Sequence, residues 1–182
     1  MDGLIGKLTP EQARRVLARL FRKRRDLREA IQVEMRQVLT EIDRDQTANQ
    51  VFIVLDSIET EEDRGRSDAS CAGRASAADA AADLIEEALQ PFFDQIERYH
   101  ELGMLDEEST YCRAVILGAY RYAQDAGSEM AGWPVDIVIR CADRLLGQWR
   151  QRNGDQSRVK AMQDFMRRHC PAWAQLVESP ER

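Results

Sequence analysis

Residues 9–42 read TPEQARRVLARLFRKRRDLREAIQVEMRQVLTEI, and the fold class follows from where the apolar members of this stretch fall. Leu17, Leu20, Leu27, Ile31, Met35, Val38 and Ile42 recur at helical intervals, which lines them up along one stripe of an α-helix. The start is marked as well. Thr9 can cap free amides, Pro10 suits the first turn, and Gln12 can reach back to the capping residue. The pattern predicts a single helix of about 33 residues, about 50 Å long. Its stripe is interrupted by Arg24 and flanked by charge, the look of a coiled-coil seam or a long bundle helix.

The same stretch holds the densest charge in the chain. Arg14, Arg15, Arg19, Arg22, Lys23, Arg24, Arg25 and Arg28 surround Val16, Leu17, Leu20, Phe21 and Leu27, with Asp26 the one acid among them. Residues 1–40 carry 10 basic and 5 acidic side chains, residues 41–110 carry 5 and 19, and residues 111–182 carry 11 and 8, for a net charge of −6. The basic stretch could lie on nucleic-acid phosphate, on an acidic protein groove, or against the acidic middle of its own chain or of a second copy. Arginine abundance is itself weak evidence for nucleic acid. Only three of the 26 basic residues are lysines, a bias of the kind that GC-rich coding sequence produces. The overall negative charge argues against a dedicated nucleic-acid binder.

Outward from this stretch, helical periodicity persists. Val51–Leu55 is short and apolar enough for a buried strand, but Leu55 and Ile58 continue a stripe with Val51 and Val54, and no second strand is present to pair with it. Residues 63–75, rich in Gly, Ser and Ala after an acidic run, read as a flexible linker. Ser76 and Asp79 resemble a capping pair. Leu84, Ile85, Leu89, Phe92, Phe93, Ile96 and Tyr99 keep one helix face apolar across Pro91, where a bend is expected. Gly103 is a natural stop, and Asp106, Glu107 and Glu108 suit a helix start. Pro134 opens a further helix that ends near Asn153, and a last one carries Val159, Met162, Phe165 and Met166.

The expected architecture is an all-α antiparallel bundle of five or six helices with a long N-terminal helix: an arm over 1–62, a linker over 63–75 and a bundle over 76–182. Cys112, Leu117, Gly118, Tyr120 and Arg121 match Cys141, Leu146, Gly147, Trp149 and Arg150 at a constant offset of 29. Two copies make no solenoid, but both glycines are expected where helices come together. Tyr111, Tyr120, Tyr122, Trp149 and Trp173 are expected in core packing rather than lining a ligand pocket or partner groove, with Trp133, in a loop before proline, the exception expected to be partly exposed.

Chemistry-bearing motifs are sparse. Glu97 and His100 have the Glu-x-x-His spacing of di-iron bundles, yet the second such pair is missing. Glu59 with Glu62, and Asp83 with Glu86, have the spacing used to hold magnesium, but several such carboxylates would have to converge. Cys71, Cys112, Cys141 and Cys170 lie 41, 29 and 29 positions apart, too far for a zinc knuckle or a redox pair, and read as free thiols. No phosphate loop or nucleophile elbow is present. No apolar run approaches the roughly 20 residues of a membrane span, and the first residues lack the basic flank and apolar stretch of a signal peptide.

The sequence therefore points to a cytoplasmic, non-enzymatic, bacterial-type helical protein that acts through protein contact without a metal or other cofactor. Self-association through the N-terminal helix to a homodimer is the leading expectation, with Leu17, Leu20, Leu27, Ile31, Met35 and Val38 as the contact seam and the eight cations of Arg14–Arg28 facing an acidic partner. Nucleic-acid binding through those cations is the first alternative, and a helical hydrolase or metal enzyme the second.

Overall fold

The computed structural model describes residue 3 and residues 5–65, 73–129 and 133–178, with side chains placed for 3, 6–58, 82–125 and 135–177. All regular structure among these residues is helical, and the chain divides into two compact units, 1–41 and 42–182.

In the first unit, α1 (Pro10–Lys23) starts as a capping box: the Gln12 amide donates to Thr9 Oγ1 at 3.2 Å, and the Thr9 amide donates to Gln12 Oε1 at 3.0 Å. The long helix expected from the periodicity is in fact two. Arg24 leaves helical geometry at φ −116°, ψ 84°, a 3-10 turn covers Arg25–Leu27, and α2 (Arg28–Thr40) follows. The break falls in a run of four adjacent cations, Arg22–Arg25, and makes two bonds that a continuous helix would forgo. Arg24 grips Asp26 through both Nε and Nη2, at 3.1 and 2.7 Å. Arg28 donates to the carbonyl of Phe21 at 2.8 Å, one of the last-turn acceptors a helix leaves without an internal partner.

The second unit begins with α3 (Arg44–Gly65), so the Val51–Leu55 stretch is helical. Placing it in the arm is corrected: α3 lies along α5 (Leu105–Glu129), with Ala48, Val51 and Leu55 fully buried in the shared core. The first unit therefore ends at residue 41, not 62. Residues 66–72 of the expected linker lie outside the described residues, while 63–65 end α3 and 73–75 begin α4 (Gly73–Glu101). Ser76 sits inside α4, not at its cap, and α4 runs on through Pro91.

Helix α5 is central. From Cys112 to Ala119 only Arg113 is not buried, because α3, α4, α6 (Trp133–Arg152) and α7 (Gln156–His169) all pack on it. The α4–α5 connection closes on Gly103 at φ 67°, with the Gly103 amide donating to His100 O and the Met104 amide to Tyr99 O, both at 2.9 Å. That pair of bonds is the αL helix stop glycine permits. Asp155 caps α7 by accepting from the Ser157 amide at 2.8 Å. A 3-10 turn at Pro171–Trp173 and α8 (Ala174–Glu178) complete the unit, with Trp173 edge-on to Tyr120 at 5.3 Å between ring centroids.

Candidate interaction surface

At 100° per residue, Ala13, Val16, Leu17, Leu20 and Phe21 share about 140° of the circumference of α1, while Arg14, Arg15, Arg19, Arg22 and Lys23 occupy the remainder. Two cleanly separated faces normally mean that the apolar one is buried. Here no residue of α1 or α2 is buried, and Leu17 keeps 47% of its surface in solvent. Helix α2 has an apolar face of its own, where Ile31, Met35, Val38 and Leu39 fall within about 100° of arc. Ile31 and Leu39 are half-buried, Met35 and Val38 exposed, the latter by 66%. Leu27, in the turn between the helices, is half-buried too. The residues of the expected seam are divided between two short helices and the turn that joins them.

The eight cations divide into two groups. Arg24 is held by Asp26 and Arg28 by Phe21, over whose ring its guanidinium sits 5.4 Å from the centroid; Arg15 pairs with Glu11 at 2.6 Å. These three shape the arm itself. The side-chain hydrogen bond with Asp26 raises the Arg24 guanidinium pKa and lowers that of the Asp26 carboxyl. Arg14, Arg19, Arg22, Lys23 and Arg25 have no acidic partner among the described residues. The α1 cations border an open depression of about 690 Å³.

The two echoed glycines part company. Gly118 sits where α5 crosses α3: a Cβ there would lie 2.7 Å from Val51 Cβ and closer still to the Ala48 carbonyl oxygen. Gly147 is exposed, and a Cβ there would meet nothing within 4 Å. The expectation of a helix contact at Gly147 is therefore corrected. The α6 face that bears it looks outward, and burial goes to Leu146 and Trp149 beside it.

In the second unit the acid and histidine candidates are drawn into separate pairs. Glu97 bonds Arg152 on α6, whereas His100 Nδ1 lies 3.2 Å from Glu108 Oε2 on α5, so Glu97 and His100 do not share a ligand position. Glu86 reaches Arg144 at 3.4 Å and Asp83 is exposed; the side chains of Glu59 and Glu62, and the whole of Cys71, lie outside the described residues. Among the described residues, no three His, Cys, Asp or Glu side chains come together to hold a metal. Cys112, Cys141 and Cys170 are buried free thiols. Burial pushes the Cys112 thiol far up and Cys170 to about 12, so both stay protonated and poor as nucleophiles at neutral pH.

Sequence reasoning missed the fully buried Glu108, whose Oε1 has no partner among the described residues. The signal was there: Glu108 precedes Cys112, Val115 and Ile116 by four, seven and eight positions, the spacing of the buried face of α5. Beside it, Ser109 Oγ donates to the Leu105 carbonyl at 2.8 Å and accepts from Trp149 Nε1 at 3.3 Å. This polar seam orders the α5–α6 packing.

Among the described residues, no helix is long and apolar enough to cross a membrane. Compared with known families, with curated proteins and with solved structures, the chain finds no match.

Proposed function

We propose that this chain is a cytoplasmic, non-enzymatic helical adaptor or regulator that works by protein contact, and that α1 and α2 form the arm by which it self-associates as a homodimer. One observation carries the reading: two consecutive amphipathic helices bury none of their residues. Covering Val16, Leu17, Leu20, Met35 and Val38, all 37–66% exposed, recovers on the order of 1 kcal/mol per side chain. The test is light scattering on the full chain. Wild type runs at twice the monomer mass, and Leu17→Glu with Leu20→Glu, at positions open to solvent, runs as a folded monomer; a monomeric wild type, or an unchanged dimer in the variant, overturns the reading.

A second reading rests on the five cations without acidic partners. On nucleic-acid phosphate they would give an affinity that falls steeply with salt and drops on charge reversal of Arg22 and Arg25. No binding to duplex DNA or to RNA at low salt removes it.

A further inference from the structure

On α4, Asp83, Glu87, Asp94 and Glu101 are all exposed, and their spacings of 4, 7 and 7 hold them within about 40° of the helix circumference. They make an acidic ridge about 27 Å long, with the exposed cation Arg98 on its border between Asp94 and Glu101. Asp94 accepts from Gln90 at 2.7 Å; Asp83, Glu87 and Glu101 have no cationic partner among the described residues. Glu86 and Glu97, on the flank toward α6, are spent on Arg144 and Arg152, so the ridge is what remains of the described carboxylates of α4 after its own fold is satisfied. Leu84, 46% exposed, and Pro91 border the ridge on the opposite side, seven residues apart.

This surface complements α1. The apolar border of the ridge has its counterpart in Val16 and Leu20, which flank Arg19 and Lys23 on α1. Glu87 and Asp94 are two helical turns apart, and Arg19, Arg22 and Lys23, none of which has an acidic partner among the described residues, fall within about 100° of the α1 circumference. A cationic helix with an apolar edge and an anionic helix with an apolar edge make a charge-matched helix pair.

We infer that the ridge Asp83–Glu87–Asp94–Glu101 on α4 of a second copy receives the basic face of α1, each chain giving its arm and accepting the other's. The inference rests on the reading of the arm as a self-association element and names the surface it meets. The exchange is isologous: the same two faces meet twice across a two-fold axis.

A charge swap in the full chain tests it. Glu87→Lys with Asp94→Lys sets like charge against like in its own dimer, as does Arg19→Glu with Arg22→Glu. Each double variant, with helix content and melting temperature unchanged, runs as a monomer alone, and an equimolar mixture restores a dimer that carries one of each. The milder Glu87→Gln with Asp94→Asn weakens wild-type self-association about tenfold, as does raising salt from 0.05 to 0.5 M. If the Glu87→Lys, Asp94→Lys chain dimerises as wild type does while Leu17→Glu with Leu20→Glu does not, the ridge is the wrong surface and arm meets arm. A monomeric wild type overturns this inference and the self-association reading together.

Discussion

The arm at residues 1–41 and the bundle at 42–178 are built from the same helical periodicity and do opposite things with it. In the bundle, apolar stripes on α3 to α7 converge until Val51, Ile116, Leu146, Trp149 and Met162 are essentially without solvent. In the arm, the stripe with the sharpest division between apolar and charged residues, that of α1, leaves Val16 and Leu17 in water. Periodicity therefore says that a segment is helical and which face wants cover; it does not say whose surface supplies the cover. Five or more stripes within one chain can cover each other. Two helices of 13 and 14 residues leave theirs in solvent, and that exposed face is the basis of the proposed contact.

The contrast is sharpest in truncation. Trp149 is 1% exposed, and its indole nitrogen donates to Ser109. Trp149→Ala is expected to cost about 3–5 kcal/mol of stability, from the cavity and the lost bond together. Leu17→Ala, measured at a concentration where the chain is monomeric, is expected to change stability by less than about 0.5 kcal/mol. Urea unfolding followed by tryptophan fluorescence reads the first, and far-ultraviolet dichroism the second. Equal losses at the two sites would mean that Leu17 is covered within the monomer, and the distinction between the regions would fall.

Alkaline pH is the next way to separate them, because the described free thiols all lie in the bundle. Burial raises Cys112, Cys141 and Cys170 above their ordinary value of 9.0. The unfolded chain then releases thiol protons at a pH where the folded chain still holds them. Stability is fully present below about pH 9 and declines as pH rises toward the folded values, which for Cys170 is about 12. By pH 10 each fully shielded thiol lowers stability by up to about 1.4 kcal/mol, so Cys112 and Cys170 together account for about 2–3 kcal/mol. Comparing urea midpoints at pH 8 and pH 10, in wild type and in Cys112→Ala with Cys170→Ala, isolates this contribution. A pH dependence unaltered by the double substitution would assign it to other groups.

Much of this division was legible before any coordinates, and the failures have a common physical cause. The all-helical class, the capping box at Thr9, the stop at Gly103 and the helical state of Val51–Leu55 are decided by local spacing and backbone chemistry, which a sequence displays directly. The break at Arg24 is not. It depends on Asp26 and Arg28 making bonds available only once the helix has ended, a competition that periodicity across the break conceals. The assignment of α3 to the arm failed because residues 63–75 read as the boundary, which hides that polar Asp43–Asn49 already belongs to the bundle. In space it holds Asp45 and Asn49, which take the Arg121 guanidinium of α5 at 3.1 and 3.0 Å. The basic face was readable as composition; which cations are free of it, and that an acidic ridge runs along α4, required knowing which carboxylates the bundle had already used.

The repeated motif shows the same limit at single-residue scale, and gives the smallest effects. Gly118 and Gly147 occupy equivalent places in the 29-residue echo, and the sequence offers no reason to treat them differently. In the structure Gly118 allows α5 to approach the Ala48 backbone, where neither the carbonyl nor the helix bearing it can step aside for a methyl group. Gly118→Ala is expected to destabilise by about 1–3 kcal/mol through overpacking. Gly147 has open space in an exposed helix interior, so there the methyl group meets nothing and the backbone sheds glycine's extra freedom in the unfolded chain. Gly147→Ala is expected to stabilise by about 0.5–1 kcal/mol. Opposite signs in one set of urea unfolding curves would show that the echo repeats a sequence without repeating an environment. A loss of stability at Gly147 would instead place a helix contact there and restore the duplicated unit as the better account of the bundle.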